Sequence, residues 1–356
     1  MGRHLIASTG AVAGAVLMAF LTSPTVLGQT PTKAYKAPRT VHGQPDLQGV
    51  WGNNIATPLQ RPKALEGKTV LSPQELAALK EAAAKLFDGG GDAAFGDQVF
   101  EAALAKANTF VSTDGKTGDY NHFWLVEREF DNRTSLITDP PDGRMPPMTP
   151  KGEKASAEAL SRARGEGDTF AGKADTWEDR GLSERCISFG APRLGAGYNS
   201  YIQIFQAKDY VTILQETIHD ARIIPIDGRP HIPSTVQQWH GDPRGHWEGE
   251  TLVVETTNYS GKSSMLFIPA AGAENLKITE RFTRTDAKTI KYEVTFDDPT
   301  TWTKPWTIMV PLKHTNEAMY EYACHEGNIG MEGILAGARA EDKAKAAKNS
   351  TKTGSR

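Results

Sequence analysis

Alternation of apolar and polar side chains dominates the chain from about residue 200 onward. Tyr201–Gln206, Tyr210–Gln215 and Thr251–Thr257 are rich in β-branched and aromatic residues and are bounded by turn residues, so each predicts a strand. Leu276–Asp298 predicts a hairpin. Ile278, Glu280, Phe282 and Arg284 share one face of its first arm, and Lys277, Thr279, Arg281 and Thr283 share the other. Thr285–Lys288 is the turn, and Ile290, Tyr292, Val294 and Phe296 form the apolar face of the return arm. Trp306–Leu312, Ala318–Cys324 and Arg133–Thr138 predict further strands. Asp227-Gly228 is a hairpin signal, because its turn needs positive φ, and Gly249 marks a second break. At least eight strand candidates, mostly joined by short turns, predict a mainly β fold: an antiparallel barrel or a sandwich.

Helical periods are confined to short insertions. Ser72-Pro73-Gln74-Glu75 is a capping box with proline at the first helical position, and it predicts a helix to about Phe87. A second helical stretch covers Asp97–Asn108, and a third Lys151–Arg164. The first two are expected to cover one face of the β region. Asp139-Pro140-Pro141-Asp142-Gly143-Arg144 is a turn pre-shaped by its prolines.

The N-terminus changes the picture of where the protein works. Arg3 and His4 precede a short apolar run, Ala11–Leu21, and Val26 and Gly28 offer small side chains for a peptidase. This predicts a secretory signal peptide over residues 1–28 and a secreted or periplasmic protein. Residues 29–45 predict an extended arm, 46–339 one β-rich domain, and 340–356, rich in Lys, Ala, Ser and Thr, a disordered tail. Gly165–Trp177 is a surface linker. No later stretch is long and apolar enough for a membrane span.

With 356 residues, 38% of them hydrophobic, 34 Gly and 21 Pro, the chain suits a loop-rich globular protein better than a helical bundle. A net charge of −3 gives no electrostatic case for nucleic acid. The two cysteines, Cys186 and Cys324, are an even pair in an exported chain and predict a disulfide. Closing so long a loop is worth on the order of 5 kcal/mol as an upper figure.

HExxH, CxxC, GxSxG, P-loop and dinucleotide motifs are absent, so the common zinc proteases, α/β-hydrolases, kinases and NAD enzymes are disfavoured. What remains is a constellation. Four of the nine histidines, His219, His231, His240 and His246, fall between Tyr198 and Tyr259, together with Trp239 and Trp247. His219 shares a parity with Val211 and Ile213, and Arg222 follows three residues later. In Tyr320–Asn328, Glu321 and His325 share a parity next to Cys324. The candidate acid–base and anion-holding residues are therefore His219, His325, Glu321, Glu248, Arg222 and Arg281. The candidate substrate-binding residues are Trp239, Trp247, His240, His231, Arg133, Arg144 and Tyr198, with the indoles as stacking walls. Plain structural roles stay open beside each assignment. No cofactor is expected, but a metal held by His219, His231, His240 and His325 stays open as an alternative.

Gly49-x-Trp51 on an early strand resembles the first-strand signature of lipocalins and other calycins. That resemblance implies a barrel closed at one end by the tryptophan, stacked on an arginine from a late strand. Separately, PDLQGVWG, RTSLITDPPDGRMPPMTP, ERCISFGAP, HDARIIPIDGRPHIP, GHWEGETLVVETTNY, ERFTRTDAKTIKYEVTFDDPTTWTKPW and YEYACHEGN together resemble an uncharacterised secreted bacterial family. The resemblance spans most of the mature chain and brings no catalytic residues with it.

The expectation is an exported β-barrel enzyme with an internal pocket. It would act by acid–base chemistry as a lyase, hydrolase or isomerase on a small sugar- or aromatic-derived molecule. A non-catalytic periplasmic carrier and a metal-dependent oxidase or oxygenase are the alternatives. The sequence leaves the oligomeric state open.

Overall fold

The computed structural model describes residues 35–88, 97–106, 128–164, 174–195, 199–261 and 273–353. The expected signal peptide and Tyr198 lie outside the described residues, as does most of the 165–177 linker. The described chain has ten strands: β1 (Gly49–Gly52), β2 (Ile137–Asp139), β3 (Tyr201–Gln206), β4 (Tyr210–Gln215), β5 (Ala221–Pro225), β6 (Asp242–Glu248), β7 (Thr251–Thr257), β8 (Lys277–Asp286), β9 (Thr289–Asp297) and β10 (Trp306–Thr315). It has four α-helices: α1 (Pro73–Asp88), α2 (Asp97–Leu104), α3 (Pro150–Arg164) and α4 (Ile329–Thr353). The protein is mainly β, as its alternating pattern predicts.

Nine strands form one path, β5-β4-β3-β1-β10-β9-β8-β7-β6, with β2 attached to β10 beside it. Every neighbouring pair in the path is antiparallel. Nine alternating strands leave the two ends, β5 and β6, running in the same direction. A ladder between them would have to be parallel, and none joins them, so the sheet is not closed into a barrel. It nevertheless curls until its ends touch. Gly245 of β6 faces Ile224 of β5 and the following Ile226 so closely that an added Cβ would lie 2.8 Å from Ile226 Cγ2 and 3.0 Å from Ile224 Cγ2.

The inner face is the apolar parity. Ile278, Glu280 and Phe282 of β8 are buried, as are Ile290, Tyr292, Val294 and Phe296 of β9. Phe282 stacks on Tyr292 at 4.4 Å between centroids, and Phe296 on Trp306 at 4.5 Å. Full burial of each large apolar side chain contributes roughly 1.5–3 kcal/mol. Trp51 is fully buried, its Nε1–H donates to Leu47 O at 2.9 Å, and the Arg284 guanidinium of β8 lies over its ring at 5.4 Å.

One charged pair sits inside this core. Arg222 of β5 donates through Nη1 to Glu280 Oε1 at 3.0 Å and through Nη2 to Oε2, and Tyr292 Oη donates to the same carboxylate at 2.6 Å. Both charged side chains are almost wholly buried. Burial acts against the Arg222 charge, but Glu280 overcomes it and holds the guanidinium above its ordinary value. β5 and β8 are six places apart in the path, so this pair exists only because the sheet curls.

Four segments differ from expectation. α1 and α2 do not lie on the sheet; Leu79, Ala83 and Leu86 pack with Phe100, Ala103 and Leu71 in a separate small core. The capping box is present: Ser72 N–H donates to Glu75 Oε2 at 2.8 Å and Glu75 N–H to Ser72 Oγ at 3.3 Å. Residues 340–353 are not disordered but continue α4, because Ala, Lys, Glu and Arg are strong helix formers even without a packed face. Ala318–Cys324 forms no strand. The described part of the 29–45 arm is not extended. It turns back on itself through Thr40 N–H to Gln44 O at 2.9 Å, and Gln44 docks on Lys208 O at 3.0 Å. Among the described residues no helix is long and apolar enough to cross a membrane.

Removing one partner of the buried pair leaves the other charge stranded. Arg222→Met alone is expected to lose about 3–5 kcal/mol in urea unfolding. Arg222→Met combined with Glu280→Met should recover most of that loss. Additive losses in the double variant would show that the pair is not what holds β5 to β8.

Candidate functional site

The two sheet ends meet at Gly245 and part toward residues 221 and 241. The gap is an open cleft of about 640 Å³ between Ala221–Ile223 of β5 and Gln237–Pro243 ahead of and within β6, with Ile187 on a third side. It opens where no ladder joins the two edges. Two parallel edges without a ladder have no backbone reason to stay together along their length.

Three polar side chains from distant parts of the chain converge here. Ser188 Oγ lies 3.0 Å from Asp220 Oδ2 and 2.7 Å from His240 Nε2, and it accepts the Gly190 N–H at 2.8 Å. His240 Nε2 and Asp220 Oδ2 are 3.5 Å apart. Ser188 is buried, while His240 and Asp220 reach the cleft. Burial holds His240 below its ordinary range; Asp220 pulls it up, and the Arg222 charge pushes it down again. The ring is therefore neutral near pH 7, and its approach to Asp220 is not an ion pair.

The proton positions follow from donor and acceptor counts. An ionised Asp220 only accepts, so the Ser188 hydroxyl donates to it. Ser188 Oγ then accepts from Gly190 N–H and from His240 Nε2–H. That assigns the Nε2–H tautomer and leaves the lone pair on Nδ1. A serine nucleophile activated by histidine would need the opposite arrangement, with the carboxylate at Nδ1.

Local structure aims these groups. Asp220 follows a one-turn 3₁₀ helix, Thr217–His219, in which buried Ile218 has φ +56°. A β-branched residue in the left-handed region stores on the order of 1–3 kcal/mol. Ser188 lies on a strap, residues 186–195, that crosses the end of the sheet. The strap is tied by Gln215 Nε2 to Gly190 O at 3.3 Å, Tyr259 Oη to Ala191 O at 3.2 Å, Arg193 N to Gln215 Oε1 at 2.9 Å and Asn53 Nδ2 to Leu194 O at 3.0 Å. Its leading residue, Cys186, has φ +55° and is bonded to Cys324, with Cα atoms 5.7 Å apart. The predicted disulfide is present, and it sets the start of the strap two residues before Ser188.

The structure distributes the sequence candidates unevenly. Arg222, Trp239 and His240 line the cleft. Arg222 holds Glu280 through both Nη atoms, while its buried Nε has no hydrogen-bond partner. His219 ends the 3₁₀ turn, and its side chain lies outside the described residues. Glu321 and His325 are exposed in a segment that is not a strand, so their parity loses its meaning. Glu248 and Arg281 stand on the outer face of β6 and β8, where Arg281 Nη2 donates to Glu248 Oε2 at 2.7 Å and His246 lies 3.2 Å from Oε1. Trp247 packs against the core. His231 Nδ1 is 2.8 Å from the buried carboxylate of Asp242, which Arg244 also grips at 2.6 Å. Arg133 binds Asp131 Oδ2 at 2.7 Å and Met309 O at 2.8 Å, and Arg144 sits half-buried in the proline turn, whose Asp142 carboxylate accepts its main-chain N–H at 3.1 Å. Ser188 and Asp220 were not singled out from sequence. The signal for Ser188 was its place two residues after Cys186; Asp220 stands beside the singled-out His219. Among the described residues no three His, Cys, Asp or Glu side chains gather as a metal-ligand set.

Fold and cleft together define an antiparallel sheet protein with a histidine–serine–carboxylate cluster in the seam between its ends. No family model matches this chain, and neither a curated protein nor a solved structure is similar to it.

Two outcomes follow. Because the folded state disfavours the charged ring, His240 should titrate below the ordinary 6.5 in NMR of its Cε1–H. Its contribution to stability is present above pH 6.5 and is lost as pH falls toward the folded-state value, since the unfolded chain then binds the proton more readily. In urea unfolding, wild type should thus lose more stability than His240→Gln between pH 7 and pH 5. Replacing both cysteines, Cys186→Ser with Cys324→Ser, should cost about 2–5 kcal/mol. It should also let Cys186 leave the left-handed region and Ser188 swing away, moving the His240 titration back toward its ordinary range; an unmoved titration would mean the strap alone holds Ser188.

Proposed function

We propose that the seam cleft performs acid–base chemistry on a small sugar- or aromatic-derived molecule, with His240 as the base. The observation that carries this reading is the neutral His240 ring, hydrogen-bonded at Nε2 to Ser188 and through it to Asp220. A proton taken from substrate C–H or O–H goes to Nδ1. The resulting imidazolium keeps its Nε2–H on Ser188, and the Asp220 carboxylate beyond stabilises the new charge. Proton transfer of this kind is shared by lyases, hydrolases and isomerases, and the reading stays at that class. Trp239 and the apolar walls would hold the ring of the substrate. The Cys186–Cys324 disulfide supports work in an oxidising compartment, in keeping with an exported protein.

A second reading, a non-catalytic ligand-binding protein, is favoured by one feature: Trp239, 42% exposed, and the exposed Gln237 and Gln238 are binding groups that need no chemistry. Turnover separates the two. The protein would be incubated with p-nitrophenyl glycosides, p-nitrophenyl esters and reducing sugars in D₂O, reading nitrophenol release and C–H to C–D exchange. The enzymatic reading expects turnover of at least one probe, and a loss of about 10²–10⁴-fold in kcat/KM for His240→Gln. An unchanged rate in His240→Gln would remove His240 as the base. Binding without turnover of any probe would favour the carrier.

A further inference from the structure

We infer that Arg193, on the strap, anchors a second ligand site, one that takes a monoanionic carboxylate. Arg193 is not among the residues that line the seam cleft, and the inference does not rest on the acid–base reading.

Arg193 is a half-buried cation without an acceptor. Among the described residues its guanidinium makes no hydrogen bond and no ion pair. Its main-chain N–H is used, on Gln215 Oε1 at 2.9 Å, but its Nε is buried and unpartnered. A buried donor left without an acceptor is costly, the more so when it is charged. Arg61, by contrast, is satisfied inside the protein. It donates to Thr134 Oγ1 at 2.9 Å and to Asp142 O at 2.6 Å. Burial acts against the Arg193 charge, and Tyr322 and Glu216 offset that only in part. Glu216 acts from a distance. No ion pair joins the two, and Glu216 Oε2 accepts the Tyr201 N–H at 3.2 Å.

Two neighbours set the cation in place. Its Cζ lies over the Phe189 ring, 5.5 Å from the centroid. Gly195 leaves room for it: an added Cβ there would lie 1.9 Å from Nη1 and 2.7 Å from Cζ. The strap beneath is pinned by the bonds from Gln215, Tyr259 and Asn53. Tyr322 meets Phe189 edge-on at 6.2 Å between centroids, from the segment that the disulfide ties to the strap. A cation held this firmly, with its acceptor missing, is preorganised for an oxyanion. A carboxylate meets the guanidinium fork with both oxygens. Phosphate fits the same fork, but as a dianion it brings excess negative charge toward Glu216. A carboxylate matches the one guanidinium charge for charge.

The test is nitrogen–proton correlation NMR of the Arg193 Nε–H in the full chain. It is titrated above neutral pH and at constant ionic strength with benzoate, acetate, inorganic phosphate and, as control, chloride. A carboxylate should move the signal to saturation and bind about tenfold tighter than phosphate. Variants are read by saturation transfer to the ligand. Arg193→Lys keeps the charge and loses the fork, and should weaken the carboxylate about tenfold. Gly195→Ala keeps the charge but displaces the guanidinium, and should weaken it likewise. Neither should move the His240 titration, because the bonds that pin the strap remain. A moved His240 titration in Arg193→Lys would make Arg193 a brace of the strap and overturn its role as anchor. Shifts that grow alike with every salt and never saturate would be screening, and would overturn the site. Tighter binding of phosphate than of both carboxylates would overturn the carboxylate assignment.

Discussion

Arg222 and Glu280 meet in the interior, from strands at opposite sides of the path, and the shape of the sheet depends on their meeting. Charges taken out of water are costly, and their attraction offsets that cost only with close, complete hydrogen bonding. Here the contact is two-pronged, and the Tyr292 hydroxyl fills a further position on the carboxylate. The arrangement is satisfied in one geometry, with β5 curled over to β8. Apolar packing alone would tolerate many degrees of curl; a buried ion pair tolerates few. Where the curl stops, the seam begins.

The seam follows from a parity of strand number. An odd path of antiparallel strands brings like-directed edges together, so only a parallel ladder could zip the sheet shut, and none forms. Close packing at Gly245 holds one end of the gap, because any side chain there would collide with Ile224 and Ile226. The other end stays open and is furnished from three directions: the turn after β4 supplies Asp220, the segment before β6 supplies Trp239 and His240, and the disulfide-led strap supplies Ser188. Two of these suppliers carry non-glycine residues in the left-handed region, Ile218 before Asp220 and Cys186 before Ser188. Backbone strain next to converging polar groups is where folds set side chains against local preference.

Electrostatics in the cleft are likewise a product of the interior. Glu280 holds both Arg222 Nη atoms; burial, opposed by Asp220, keeps the His240 ring below its ordinary range, and the Arg222 charge adds a smaller push in the same direction as burial. The cation of the pair that curls the sheet thus also contributes to the protonation of the ring in the gap, after burial and Asp220. Arg222 belongs to the fold first and acts on the site through charge alone.

Much of the scaffold was legible along the chain. Strands β3, β4 and β7 begin and end where their β-branched runs do, the 276–298 hairpin has the predicted parity, and the two cysteines bond. Period-two burial is a local property, written in consecutive residues, and so it needs no tertiary contact to be read. β5 and β6 were not legible, because ARIIP and DPRGHWE are too short and too polar for that signal, and they are the edges that make the cleft. The site was legible only by residue type. Parity suggested Glu321 with His325, but parity means nothing where no strand forms, and it put Arg281 outward where Glu248 waits for it. The convergence of Ser188, Asp220 and His240, separated by 32 and 20 residues in turn, is set by curl, strap and disulfide. These are contacts between distant segments, and a linear pattern carries no distance across space.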